Sequence, residues 1–230
     1  MNHLLRLLGV IAIVLVLGLG TQSAFAEQKL AVGALGGWAW GLNEDGVKGL
    51  PTTHFESGGV YGANIMYLYI PDLDTEEENP YIADKLGFGV EACIENFSMD
   101  LKVEGEHKGT LKMIPVMFLF KFQGVPPQGI GFSAHADIGL GMNFAEFDKA
   151  PGQSHTRKID VDNSLIYEIG AGTDYFFTKD IAFSMDVRFL LTEVDWEESG
   201  RGEPIISATN DLSGFQVSNV QLLVGLRYWF

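Results

Sequence analysis

The sequence is poor in cysteine and in basic residues. Of 230 residues one is Cys, and 15 are Lys or Arg against 30 Asp or Glu. The lone Cys93 excludes an intramolecular disulfide and any cysteine-based structural zinc site. A formal net charge of −15 argues against nucleic acid as a partner, because phosphate binding needs a Lys/Arg surplus. Beyond residue 26 there is no apolar run long enough for a membrane-crossing helix, which excludes a helical membrane protein. At 47% apolar and 20% charged, the chain is too hydrophobic to be disordered. What it does contain is 28 Gly, 12% aromatics and an apolar pattern of period two.

Residues 1–26 stand apart. Arg6 lies in a short basic start, Leu7–Leu19 is almost unbroken apolar sequence, and Ala24-Phe25-Ala26 is a small-x-small processing site. This pattern predicts a secretory signal peptide cleaved after Ala26, with residues 27–230 as the exported domain. Removing Arg6 leaves 14 basic against 30 acidic residues in that domain. An exported chain with one cysteine has to be stable without disulfides.

Eight segments of the domain alternate: 29–42, 58–70, 86–99, 110–123, 130–147, 164–177, 180–194 and 216–230. In the first, Leu30, Val32, Trp38, Trp40 and Leu42 share one face, and Ala31, Gly33, Gly37, Ala39 and Gly41 the other. In the fifth, Phe132, Ala134, Ala136, Ile138, Leu140 and Met142 alternate with Ser133, His135, Asp137, Gly139 and Gly141. Strict alternation makes each strand amphipathic across the sheet. One face is Leu, Phe, Tyr, Val and Ile; the other is small residues with isolated charges. Small residues suit a crowded, narrow interior, and the greasy face then meets lipid.

Loop lengths support that sidedness. The spacers 43–57, 100–109, 148–163 and 195–215 are long, whereas 124–129 and Thr178-Lys179 are short. Long loops on one side and short turns on the other mark an outer-membrane barrel with both termini in the periplasm. Residues 71–85 break the pattern, being long where a short turn is expected. The C-terminal Phe230 closes an alternating strand and resembles the signal read by the barrel-insertion machinery. Trp38, Trp40, Tyr67, Tyr69 and Tyr228 fit interfacial girdles. The fold expected is an all-β, eight-stranded antiparallel transmembrane up-and-down β-barrel.

Three stretches together resemble the OmpW family of small outer-membrane proteins. One is Ile114-Pro115 with its Phe-rich strand, the Pro126-Pro127 turn and Ala136–Phe144; another is Gly170–Phe177 followed by Asp186-Val187-Arg188; the third is Val224–Phe230. The likeness covers residues 110–230 well and the first half loosely. It implies an eight-stranded barrel with a narrow, largely apolar channel, passage of small hydrophobic molecules, and no catalytic residues.

By parity the lumen receives Glu91, Glu95, His135, Asp137, Glu168, Asp174, Asp186, Arg188 and Arg227. An eight-stranded interior has room for side chains or one small ligand, so these charges have to pair or neutralise. They read as a structural ion-pair network, or as a polar plug against water and ions. Met113, Met117 and Leu119 face inward if Phe118 and Phe120 face lipid. With Leu35 and Leu190 they would line a hydrophobic passage, or pack against an inward-folded loop; flexible Met suits varied apolar ligands.

Catalysis has weaker support. Ser133, His135 and Asp137 share a face, but same-face neighbours on one strand lie about 6.6–7 Å apart, long for a relay. Ser154 and His155 have no fixed geometry. Asp72–Glu78 lacks the Gly and closing Glu of a calcium loop and reads as a solvated acidic turn. Glu193, Asp195, Glu197, Glu198 and Glu203 make the last long loop acidic, so that it would bridge lipopolysaccharide phosphates through divalent cations. The expectation is therefore a cofactor-free channel for passive uptake of small hydrophobic molecules, in contact with outer-membrane lipid and lipopolysaccharide. The alternatives are a plugged structural or adhesive barrel and, less favoured, a lipid-modifying enzyme.

Overall fold

The computed structural model describes residues 26–42, 53–71, 85–125, 130–151, 157–200 and 211–230. The expected leader up to residue 25, the acidic segment 72–84, the Pro126-Pro127 pair, Ser154-His155 and Glu203 lie outside them. Among the described residues there are eleven strands: β1 (Ala26–Gly41), β2 (Thr53–Phe55), β3 (Gly58–Pro71), β4 (Lys85–Val103), β5 (Glu106–Val125), β6 (Gly131–Lys149), β7 (Arg157–Val161), β8 (Ser164–Phe176), β9 (Ile181–Gly200), β10 (Asp211–Gln216) and β11 (Asn219–Trp229).

Eight of them close into a ring. The order β9-β11-β1-β3-β4-β5-β6-β8 returns to β9 through a β8–β9 pairing, and every pairing is antiparallel. Closure joins the first strand to the last over eleven paired positions, Ala31↔Trp229 to Gly41↔Asn219. The seam is completed by two backbone bonds, Phe230 N–H to Leu30 O at 2.8 Å and Trp229 N–H to Asp180 O at 2.7 Å. Both strand termini lie at the end that carries the β8–β9 turn, where the Thr178 hydroxyl accepts from the N–H groups of Asp180 and Ile181.

Sidedness follows the alternation. Along β9, Ile181, Met185, Val187, Phe189 and Leu191 face outward and are exposed, while Ala182, Ser184, Asp186, Arg188 and Leu190 are buried inside. Every barrel strand repeats this, and the outer surface is a continuous apolar band that includes Phe120 at 64% and Phe132 at 75% exposure. No soluble protein tolerates that area of exposed apolar surface; it is the coat of a barrel standing in lipid. Trp38, Trp40, Tyr69 and Tyr228 are outward and exposed, and Tyr67 is outward and half-buried.

The strands do not stop where the apolar band stops, and here the sequence expectation is corrected. The spacer expected at 100–109 is a continuation of β4 and β5, turned at Glu104-Gly105 with φ of 53° and 80°. Positive φ at both central residues matches the tight hairpin turns whose twist suits the flanking strands. On this exposed turn the Lys108 ammonium, 2.6 Å from Glu106, holds that carboxyl below the usual range. Glu193, Asp195 and Glu197 likewise lie on β9 rather than in a loop, and β9 pairs there with β7 and β10. The spacers 148–163 and 195–215 thus carry strand structure at 157–161 and 211–216.

Within this crown the polarity of the two faces inverts. Outward positions change from Ile114 to Lys112, from Phe144 to Glu146 and Asp148, and from Leu191 to Glu193 and Asp195. Lys112 pairs with Asp148 on that outer surface. Inward positions change the other way, to Met99, Leu101, Leu111, Phe147, Val194 and Trp196, all buried. One strand therefore obeys lipid rules below and water rules above. Val224→Arg, in the middle of the outward run of β11, is expected to cost about 2–4 kcal/mol of bilayer folding free energy. Glu193→Arg, on the crown, should stay within about 0.5 kcal/mol. Urea titration of both variants in vesicles checks the pair.

Candidate functional site: the barrel interior

The interior is layered. At the end with the termini, Ala31, Met66, Leu68, Ile70, Phe176, Ala182 and Trp229 form a small apolar cluster, with Phe176 and Trp229 ring centroids 5.8 Å apart. At the opposite end a larger cluster runs from the barrel into the crown. It includes Leu35, Cys93, Met113, Met117, Leu119, Ile166 and Leu190, and reaches Phe147 and Trp196, whose rings meet edge-on at 4.5 Å. Between the two lies a charged layer.

All nine polar residues expected in the lumen are buried in that layer. Arg188, on β9, reaches Glu95 at 2.9 Å, Glu91 at 3.4 Å and, through Nε, Glu168 at 3.4 Å. Arg227, on β11, holds Asp174 at 2.7 Å and Asp186 at 3.4 Å. His135 Nε2 meets Asp186 at 2.5 Å, and its Nδ1 lies 3.8 Å from Asp174. The cross-strand register makes these meetings possible, since Arg188 is opposite Gly170 and Gln221, and Asp186 opposite Gly172 and Leu223. Glycine opposite a long charged residue leaves the space that residue occupies.

Gly172 shows how tight that space is. A Cβ there would press on the Met185 carbonyl and come within 2.6 Å of His135 Nε2 and 2.7 Å of Asp186 Oδ1. Gly172→Ala is therefore expected to separate this pair and to destabilise the barrel by about 1–3 kcal/mol, read as a lower unfolding temperature in detergent. Gly141→Ala would meet backbone alone, at Val116 and Met117, so its cost does not pass through the charged layer.

Several members of the layer were not among the expected site residues. Lys121 is fully buried, 3.0 Å from Glu91 and 3.4 Å from Asp137, and supplies a third cation. Parity had the signal: Lys121 sits between the lipid-facing Phe120 and Phe122. Asn64 donates to Glu91 at 2.9 Å, Gln123 to Asp174 at 2.8 Å, and the Ser184 hydroxyl to Asp174 at 2.6 Å. The buried Ser133 hydroxyl donates to the Gly124 carbonyl and accepts from Gln123. Ser133 and His135 thus make their contacts with different partners, and His135 is oriented by Asp186 across two strands rather than by Asp137 on its own.

The five apolar residues expected to line a passage, Leu35, Met113, Met117, Leu119 and Leu190, all point inward and are buried in the larger cluster. Their neighbours there are inward side chains of the barrel wall and crown, such as Phe97, Ile166, Val194 and Trp196. Met117 is opposite Cys93 and Gly141, and Leu119 opposite Glu91 and Gly139, so the lower edge of this cluster touches the charged layer directly.

A closed ring of eight antiparallel strands with a lipid-type outer coat is a transmembrane β-barrel of the outer-membrane class. Among solved structures it is similar to the outer membrane protein OprG from Pseudomonas aeruginosa, with a TM-score of 0.59 at 13% identity over 90% of this chain and 97% of that one. It is less similar to Neisserial surface protein A (TM-score 0.45, 13% identity, 89% of this chain and 99% of that one) and to AlkL in lipid bilayers (0.40, 12%, 92% and 94%). No family model matches the chain, and no curated protein matches it in sequence.

Proposed function

We propose that this protein is an OmpW-like channel of the bacterial outer membrane that admits small hydrophobic molecules by passive transfer. The observation that carries the reading is the layered interior: an apolar layer begins in the crown, continues through Leu190, Leu35, Met113 and Met117, and ends on a charged layer that fills the barrel. A ligand leaving water for that layer gains about 25 cal/mol per Å² of apolar area buried. The charged layer and the second apolar cluster below it oppose straight passage to the far end. The exit is therefore sideways, between strands, into the membrane.

In this reading both termini face the periplasm, because the crown is the side with the extended strands and the termini lie opposite. Outer-membrane lipid surrounds the apolar band, lipopolysaccharide meets the acidic outer face of the crown, and the exposed terminal Phe230 is offered to the insertion machinery. The filled charged layer also suits a plugged structural or adhesive barrel. The two readings separate in proteoliposomes. A channel of the proposed kind speeds entry of an apolar fluorescent probe into the bilayer while small ions and sugars cross no faster than in empty vesicles. Unchanged probe entry sinks the channel.

A further inference from the structure

Positive charge is short on one edge of the charged layer. Among the described residues six buried carboxylates (Glu91, Glu95, Asp137, Glu168, Asp174 and Asp186) share Arg188, Arg227 and Lys121. Arg227 and His135 serve Asp174 and Asp186, and Lys121 serves Asp137 and Glu91. That leaves Arg188 alone for Glu95 and Glu168, while it also touches Glu91. The shortfall therefore falls at Glu95 and Glu168.

Glu168 is where the layer meets the apolar cluster. In the cross-strand register it stands directly beside Leu190, and Leu190 stands beside Asn219. On its other side come Gly139 and then Leu119. Neither Glu168 oxygen has a hydrogen-bond donor among the described residues; the nearest cation is Arg188 Nε at 3.4 Å from Oε1. The Asn219 amide is fully buried, and its Oδ1 and Nδ2 are also without partners there. Unfilled buried acceptors of this kind are costly unless something fills them.

We infer that Glu168 and Asn219, on either side of Leu190, form the head-group site of the apolar layer, and that its ligand is an apolar molecule bearing one protonated amine. The hydrocarbon body lies along Leu190, Leu119 and Met117, and the ammonium donates to Glu168, with Asn219 accepting a further N–H. The ammonium supplies the charge the layer lacks, whereas a carboxylate head group of the same length meets Glu95 and Glu168 as like charges. This deepens the proposed function and rests on it, because it presumes that the apolar layer receives ligand.

The test is equilibrium dialysis of n-octylamine, n-octanol and octanoate against nanodiscs holding the full protein, with empty nanodiscs subtracted. Octylamine is expected to bind about tenfold or more tighter than octanol, the usual gain of a charge-assisted buried hydrogen bond, and octanoate more weakly than either. Glu168→Gln should remove the preference, so that octylamine binds no tighter than octanol; heat-dependent gel mobility confirms that the variant is folded. Equal binding of amine and alcohol by the wild type overturns the inference whatever the variant does, as does a preference that survives Glu168→Gln. If none of the three binds beyond the empty nanodisc, the channel reading falls as well.

Discussion

Arg188→Ala is expected to lower the stability of the barrel by about 3–5 kcal/mol, the range seen when one partner of a buried ion pair is removed. The guanidinium is fully buried and holds Glu91, Glu95 and Glu168, carried by two other strands of the ring. Deleting it leaves two of the three without any cation, since only Glu91 keeps Lys121 and Arg227. Arg188→Lys restores the charge but not the planar fork that reaches three carboxylates from separate nitrogens, so it should recover only part of the loss. Replacing Glu168 by Gln in the Arg188→Ala background should recover part of it too, because one of the stranded charges is gone. Unfolding temperature in detergent and the gel mobility of unheated samples give the ranking. An Arg188→Ala barrel as stable as the wild type would mean that this layer is hydrated and open to water.

The second large effect is on transport. If the protein is the proposed channel, Met117→Arg is expected to reduce uptake of an apolar probe by about tenfold or more, because it places a charge in the path proposed for a greasy ligand. The same substitution should leave the barrel folded. Met117 is opposite Cys93, and Glu91 and Glu95 are the inward residues on either side of Cys93, so the introduced guanidinium has carboxylates within reach on the edge where cations are scarce. Loss of transport with retained heat-dependent mobility is the expected pair of results. Normal transport by a folded Met117→Arg protein would show that the ligand path does not pass Met117.

Much of this architecture was legible in the residues because period two leaves little freedom: once Phe118, Phe120 and Phe122 face lipid, Met117, Leu119 and Lys121 face inward. The same parity placed Glu168 and Asp186 inside. What could not be read was where each strand ends. The crown strands keep the alternation of the barrel with the faces exchanged, so Asp100, Asp148 and Asp195 look like the start of polar loops. Only their neighbours Leu101, Phe147 and Trp196, buried on the opposite face, show that the strand continues. Which charges meet was likewise hidden, because Arg188 and Glu95 are neighbours only through the curvature of a closed sheet. The meeting of Glu168 with Leu190 needed the register between β8 and β9.

The seam between β1 and β11 bears on how such a molecule comes into being. Its two edges are separated by nearly the whole polypeptide, so the sheet cannot complete itself while the last residues are still missing. Until then both edges offer unpaired N–H and C=O groups that bilayer interiors do not satisfy and that other chains readily do. Assembly is thus postponed to the final strand, a topology that folds slowly and leaves sticky intermediates.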